Sequence, residues 1–129
     1  MSYDYVIDSY AWIEYLNGSI LGEKVKKILE GNNEVFSLNL TISEVISRVK
    51  RKGGNIEIVY AAITSNSKVV EITPKIAKKA GEFHAEIRKK IKDFGLADSL
   101  ILMLARELNA KIVTGDEHFR KFKEAFFIK

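Results

Sequence analysis

Four acidic residues are embedded among core-forming apolar residues instead of lying on polar faces. They are Asp8 in "VIDSYAWIEYL", Glu44 in "TISEVISRV", Asp98 in "LADSLILML" and Asp116 in "IVTGDEHF". The chain holds only five aspartates, so three of the five take such positions. Each acid has a structural explanation. Asp8, Asp98 and Asp116 stand at expected helix starts, where a carboxylate accepts unpaired backbone N–H groups at the positive end of the helix dipole. "TISE" fits a capping box, with Thr41 as N-cap and Glu44 at N3 reaching back to it. Taken together, the four acids point to chemistry. Carboxylates about 5 Å apart at an effective dielectric of about 20 repel by roughly 3 kcal/mol per pair, so their convergence demands a cation or raised pKa values. Oxygen-only donors select a hard divalent ion, Mg²⁺ or Mn²⁺. Such an ion polarises a phosphoryl oxygen and generates hydroxide from water, which is the chemistry of phosphodiester hydrolysis.

Composition removes competing chemistries. With no cysteine, structural disulfides, thiolate catalysis and a cysteine-ligated zinc are excluded. A metal makes a histidine base unnecessary and no partner spacing singles out His84 or His118, so both are assigned surface or core-edge roles. The net charge of +4 permits a polyanionic partner without requiring one. "RVKRK" at 48–52 and "EIRKKIK" at 86–92 are candidate phosphate contacts. The first also ends a helix, where the dipole favours cations in any case. The beginning "MSYDYVIDSY" lacks the pattern of a signal peptide and no apolar run would span a bilayer, so a soluble, cytoplasmic protein is expected. The glycosylation-like triplets at Asn17 and Asn39 carry no weight in that setting.

The elements that must position the acids follow from periodicity. "YDYVID" reads as a buried strand, and "SYAWIEYLN" as a helix stopped by Asn17 and Gly18. "ILGEKVKKILE" is an amphipathic helix and "EVFSL" a second strand. "TISEVISRVKRK" is a helix closed by Gly53 and Gly54, "NIEIVYAAITS" another, and "KVVEI" a third strand. Thr73 and Pro74 open a long helix through "KIAKKAGEFHAEIRKKIK", fraying near Phe94 and Gly95. "ADSLILMLAREL" is a helix ending at Asn109, "KIVT" a fourth strand, "DEHFRKF" a short helix and "AFFI" a last strand. Such alternation implies one α/β domain over residues 1–129, with a parallel sheet covered on both faces. Sites in such sheets lie beyond the carboxyl ends of the strands, where Asp8 and Asp116 fall.

The sequence resembles the PIN domain family, and within it the VapC-type ribonuclease toxins of toxin-antitoxin pairs. "YVIDSYAWIEYL" looks like the first acidic motif with Asp8, "TISEVISRV" like the second with Glu44, "GLADSLILMLAREL" like the third with Asp98, and "AKIVTGDEHFRKF" like the fourth with Asp116. The order and spacing of the four are specific together. The resemblance implies a three-layer sandwich whose central parallel sheet of four or five short strands is flanked by helices. It also implies that these acids ligate Mg²⁺ or Mn²⁺ for endoribonuclease cleavage of RNA by a metal-activated water. A VapB-like protein antitoxin and a homodimer are implied as partners. Tyr10 departs from the pattern, because many relatives carry Ser or Thr there, while Ser9 and Thr114 offer hydroxyl contacts.

Two other readings compete. A PIN-like RNA-binding or RNA-processing protein without a toxin role would keep the fold and the acids. A receiver-like signalling module also has an acidic pocket at strand ends, but it needs a paired acid at the first strand and a lysine after a late strand, and "IVTGD" supplies no lysine. Tyr10, Trp12 and Tyr15 make the first helix rich in aromatics; core packing explains most of this, but a helix turns only part of its circumference inward, so an exposed remainder could receive a partner.

Overall fold

The structure is a computed structural model that describes residues 3–129. Strand β1 (Asp4–Ile7) leads into helix α1 (Ser9–Leu16) and α2 (Ile20–Glu30). Strand β2 (Glu34–Leu38) precedes α3 (Asn39–Arg51) and α4 (Ile56–Asn66), and β3 (Lys68–Val70) precedes α5 (Pro74–Ile87) and α6 (Leu96–Leu108). Strand β4 (Lys111–Thr114), a 3₁₀ turn (Glu117–Phe119) and β5 (Ala125–Phe127) complete the chain. The strands form a five-stranded sheet in the order β3-β2-β1-β4-β5, every pair parallel.

Adjacent residues of each central strand face opposite sides, so Val6 and Ile112 join one core while Ile7 and Val113 join the other. The first core holds Ile76 and Ala80 of α5 and Leu102 and Leu104 of α6, and the second holds Trp12, Val25, Val45 and Ile63 of α1 to α4. Both faces are thereby covered, giving three layers. Burying side chains such as Ile7, Trp12 and Leu102 contributes about 1.5–3 kcal/mol each. Trp12 Nε1 donates to Ser37 Oγ at 2.9 Å, which fixes α1 against β2. Among the described residues no helix is long and apolar enough to cross a membrane.

Several boundaries differ from the sequence expectation. Helix α3 begins at Asn39, two residues before Thr41, and its N-cap is Leu38, which offers no side-chain cap. Leu38 is fully buried, so its place in the core overrides the capping preference, and Thr41 Oγ1 is left buried without a partner. The capping box at Thr41 and Glu44 is therefore not formed. Helix α5 stops at Ile87, well short of Lys92. The chain turns there, with Ile91 N–H on Ile87 O and Phe94 N–H on Ile91 O, and buries Phe94 against Phe83, Phe119 and Phe122. The third strand is shorter than "KVVEI" and the helix of "DEHFRKF" shrinks to one 3₁₀ turn.

Candidate metal centre

Strand β1 pairs with β2 on one side and β4 on the other, so the connections leave in opposite directions from β1 and open a crevice at its carboxyl end. Asp8 follows β1 there, and Asp116 lies two residues beyond β4. Asp8 is buried and caps α1, its Oδ1 accepting from Ala11 N–H at 2.9 Å. Asp116 Oδ1 accepts from His118 N–H at 2.9 Å and starts the 3₁₀ turn. Asp98 sits in the first turn of α6 and its Oδ2 accepts from Gly95 N–H at 2.9 Å. Gly95 has no side chain to return that bond, so the reciprocal half of a capping box is missing. Glu44 projects from the second turn of α3 and makes no cap at all.

All four acids line one small cavity of about 30 Å³, together with Ser9, Ala97, Ile101 and Phe119. That space suits one water-sized species. In each aspartate a single oxygen is engaged by a local backbone N–H. Capping and ligation are therefore compatible, because the second oxygen of each carboxylate stays uncommitted by the cap.

The electrostatics record burial first and crowding second. Burial, with added repulsion from Asp116 and Asp98, pushes the Asp8 carboxyl up to about 7, against the opposing pull of the Thr114 hydroxyl and Ala11 N–H. Glu44 is raised by burial and by Asp98, and partly relieved by the Ser9 hydroxyl. Asp98 is raised by burial first and then by Asp116, with Gly95 N–H and His118 pulling the other way. Ser9 lines the cavity beside these acids, and Thr114 Oγ1 accepts from Asp116 N–H at 3.0 Å. The uncompensated negative charge and the oxygen donors fit a hard divalent cation.

His118 had no place in the sequence reading of the site. Its Nδ1 lies 3.0 Å from Asp98 Oδ2 and 3.5 Å from Asp116 Oδ1. One atom from each of Asp98, Asp116 and His118 falls within 4.8 Å of the others. The available signal was its spacing, two residues after an aspartate that caps a turn. His84 lies on α5, outside the residues lining the cavity.

A larger groove of about 460 Å³ opens from the same acids. Ser9, Glu44 and Asp116 belong to both spaces, and Tyr10, Ile13, Glu14, Arg48 and Arg51 complete the groove wall. Glu44, Arg48 and Arg51 follow one helical stripe of α3. The Tyr10 ring lies so close over Gly115 that a Cβ there would overlap it. A glycine after Thr114 is what lets this tyrosine take its place.

A family model described as "PIN domain" matches residues 5–125. The chain belongs to the PIN domain family. Solved structures share the fold. A toxin-antitoxin complex from Klebsiella pneumoniae is 17% identical with a TM-score of 0.77, over 96% of this chain and 97% of that one. VapBC2 from Rickettsia felis, bound to a DNA fragment from its promoter, is 18% identical with a TM-score of 0.75, over 96% of each chain. The sarcin-ricin-loop-cleaving toxin VapC20 of Mycobacterium tuberculosis is 15% identical with a TM-score of 0.73, over 90% of this chain and 92% of that one. No curated protein sequence matches the chain. Within this PIN domain, the central parallel sheet and its flanking helices agree with the architecture the resemblance implied.

Proposed function

We propose that this PIN domain, residues 1–129, is a divalent-metal-dependent endoribonuclease and the toxin partner of a VapBC-type pair. The observation that carries the reading is the single cavity shared by Asp8, Glu44, Asp98 and Asp116. These four would hold Mg²⁺ or Mn²⁺. The ion supplies Lewis acidity at the scissile phosphate and lowers the pKa of an attacking water. The chain's own residues do the rest. Asp8 and Asp116, fixed by their caps, present carboxylates at the strand ends, and Ser9 and Thr114 hold Glu44 and Asp8 in place through their hydroxyls.

RNA as substrate is supported by the groove that runs from the acids past Arg48 and Arg51. Neither arginine has an ion-pair partner among the described residues, so both guanidinium groups are free for phosphate oxygens flanking the cleavage site. Tyr10 on the same wall offers a face for a splayed base. A protein antitoxin is supported by neighbours that are themselves toxin-antitoxin complexes, and by the apolar exposure of Ile58 and Tyr60 on α4.

The test is cleavage of a labelled RNA by the purified protein. Cleavage with Mn²⁺, its loss in EDTA, and a loss of at least about a hundredfold in Asp8→Asn are expected, because even groups that only orient metal ligands cost 10–100-fold when removed. Equal cleavage in EDTA, or an active Asp8→Asn, would refute it.

A further inference from the structure

We propose that His118 is a positioning residue of the acid cavity: it restrains one oxygen of Asp98 through its ring and one oxygen of Asp116 through its main chain, leaving the other oxygen of each for the cation. The inference rests on the metal-site reading above and assigns a role to a residue outside the four acids.

The two aspartates come from separate elements, the first turn of α6 and the loop after β4. No backbone hydrogen bond joins those segments directly among the described residues. His118 is the link. Its N–H donates to Asp116 Oδ1 at 2.9 Å, and its Nδ1 meets Asp98 Oδ2 at 3.0 Å. Asp98 Oδ2 also accepts from Gly95 N–H at 2.9 Å, so it faces two donors and the carboxylate cannot rotate without losing both.

The direction of the His118 bond follows from its surroundings. Nδ1 is near two carboxylate oxygens, at 3.0 and 3.5 Å, and a bare lone pair there would oppose theirs. Nδ1 therefore carries the hydrogen, and a nitrogen that donates to Asp98 does not ligate a metal. The ring is also held from behind. Phe94, buried in the aromatic cluster, packs against it with centroids 6.3 Å apart, and the next residue, Phe119, is buried as well. The side chain is 35% exposed, so this one-sided packing and the Asp98 contact together set the ring's orientation. Carboxylate ligands held by such neighbours lose about 10–100-fold in metal affinity when the neighbour is removed.

The experiment measures Mn²⁺ and Mg²⁺ binding by calorimetry, without RNA, for wild type, His118→Ala and His118→Asn, with melts in EDTA to establish folding. The expected result is that His118→Ala weakens both ions by a common factor of about 10–100. His118→Asn, whose amide N–H reaches the region of Nδ1, should recover most of that loss. Pulsed electron paramagnetic resonance of the Mn²⁺-loaded wild type should show no nitrogen coupling from a directly bound imidazole. Unchanged affinity in a folded His118→Ala overturns the proposal, as does a folded His118→Asn that binds no better than His118→Ala. Direct imidazole coupling overturns it too, by making His118 a ligand. These outcomes leave the four-acid site standing, whereas a wild type that binds neither ion removes both the site and this inference.

Discussion

The two edges of the sheet treat charge in opposite ways. At the amino-terminal edge, Glu124 is mostly buried, but Arg106 Nε meets its Oε2 at 3.1 Å, and Lys111 Nζ donates to Lys123 O nearby. Arg106 thereby compensates one oxygen of Glu124, while the other, Oε1, is buried without a hydrogen-bond partner. At the carboxyl-terminal edge four acids share a cavity with no Lys or Arg on its wall, and burial raises Asp8, Glu44 and Asp98 alike. Compensation marks a region selected for holding the fold together. Where it is missing, burial holds the carboxyls above their ordinary range, a cost that the proposed cation would relieve.

Glu44→Gln gives the largest effect that would sharpen this contrast. Glu44 caps nothing and burial and Asp98 raise its carboxyl, so at neutral pH in EDTA the variant should melt at or above wild type while losing cleavage by about a hundredfold or more, beyond the 10–100-fold typical of groups that only orient ligands. A variant that cleaves normally would move Glu44 to the compensated class. The double change Arg48→Glu with Arg51→Glu should be milder. RNA affinity would drop about tenfold or more at low salt, and the slope of log affinity against log salt would flatten by about 0.7 per lost phosphate contact. An unchanged slope in filter binding would show that the groove does not carry the strand. At the opposite edge Glu124→Gln should cost on the order of 1 kcal/mol, less than a fully buried pair because Arg106 is partly exposed, with cleavage intact. A loss of cleavage there would break the division between edges.

Much of this was legible in the sequence where local pattern and tertiary demand agree. Helix α2 and strand β2 match their periodic segments end to end, and Asp8 and Asp116 announce themselves because a strand must hand over to a turn beside them. Glu44 was legible by motif but for a reason the fold does not use. The Thr41 capping box is a local preference worth about 1 kcal/mol, and the burial of Leu38 outweighs it by starting α3 early. The end of α5 was hidden for a similar reason, since the helical pattern of "IRKKIK" does not reveal that Phe94 must reach a cluster built from residues 83, 119 and 122. His118 was invisible because its partner Asp98 lies in another element, and contact between elements has no periodic signature.

The central claim is that the fold buries these acids without a compensating charge, and thermal melts of wild type and Asp8→Asn across pH in EDTA test it most directly. A folded-state value raised to about 7 from the ordinary 3.8 means the folded protein binds the Asp8 proton more tightly than the unfolded chain. The penalty is absent below the ordinary value, grows as pH rises through the interval, and is complete above the folded value. Glu44, Asp98 and Glu117 remain in both proteins, so the difference between the two reports Asp8 together with its repulsion of Asp98 and Asp116. Asn retains an oxygen to cap Ala11 N–H. Asp8→Asn should therefore melt close to wild type near pH 4 and progressively above it toward about pH 8. Saturating Mn²⁺ at the upper pH should close or reverse the gap, since only the wild type keeps its full ligand set. A wild type that is the more stable of the two in EDTA at the upper pH, with no change in the gap across the range, would contradict the account.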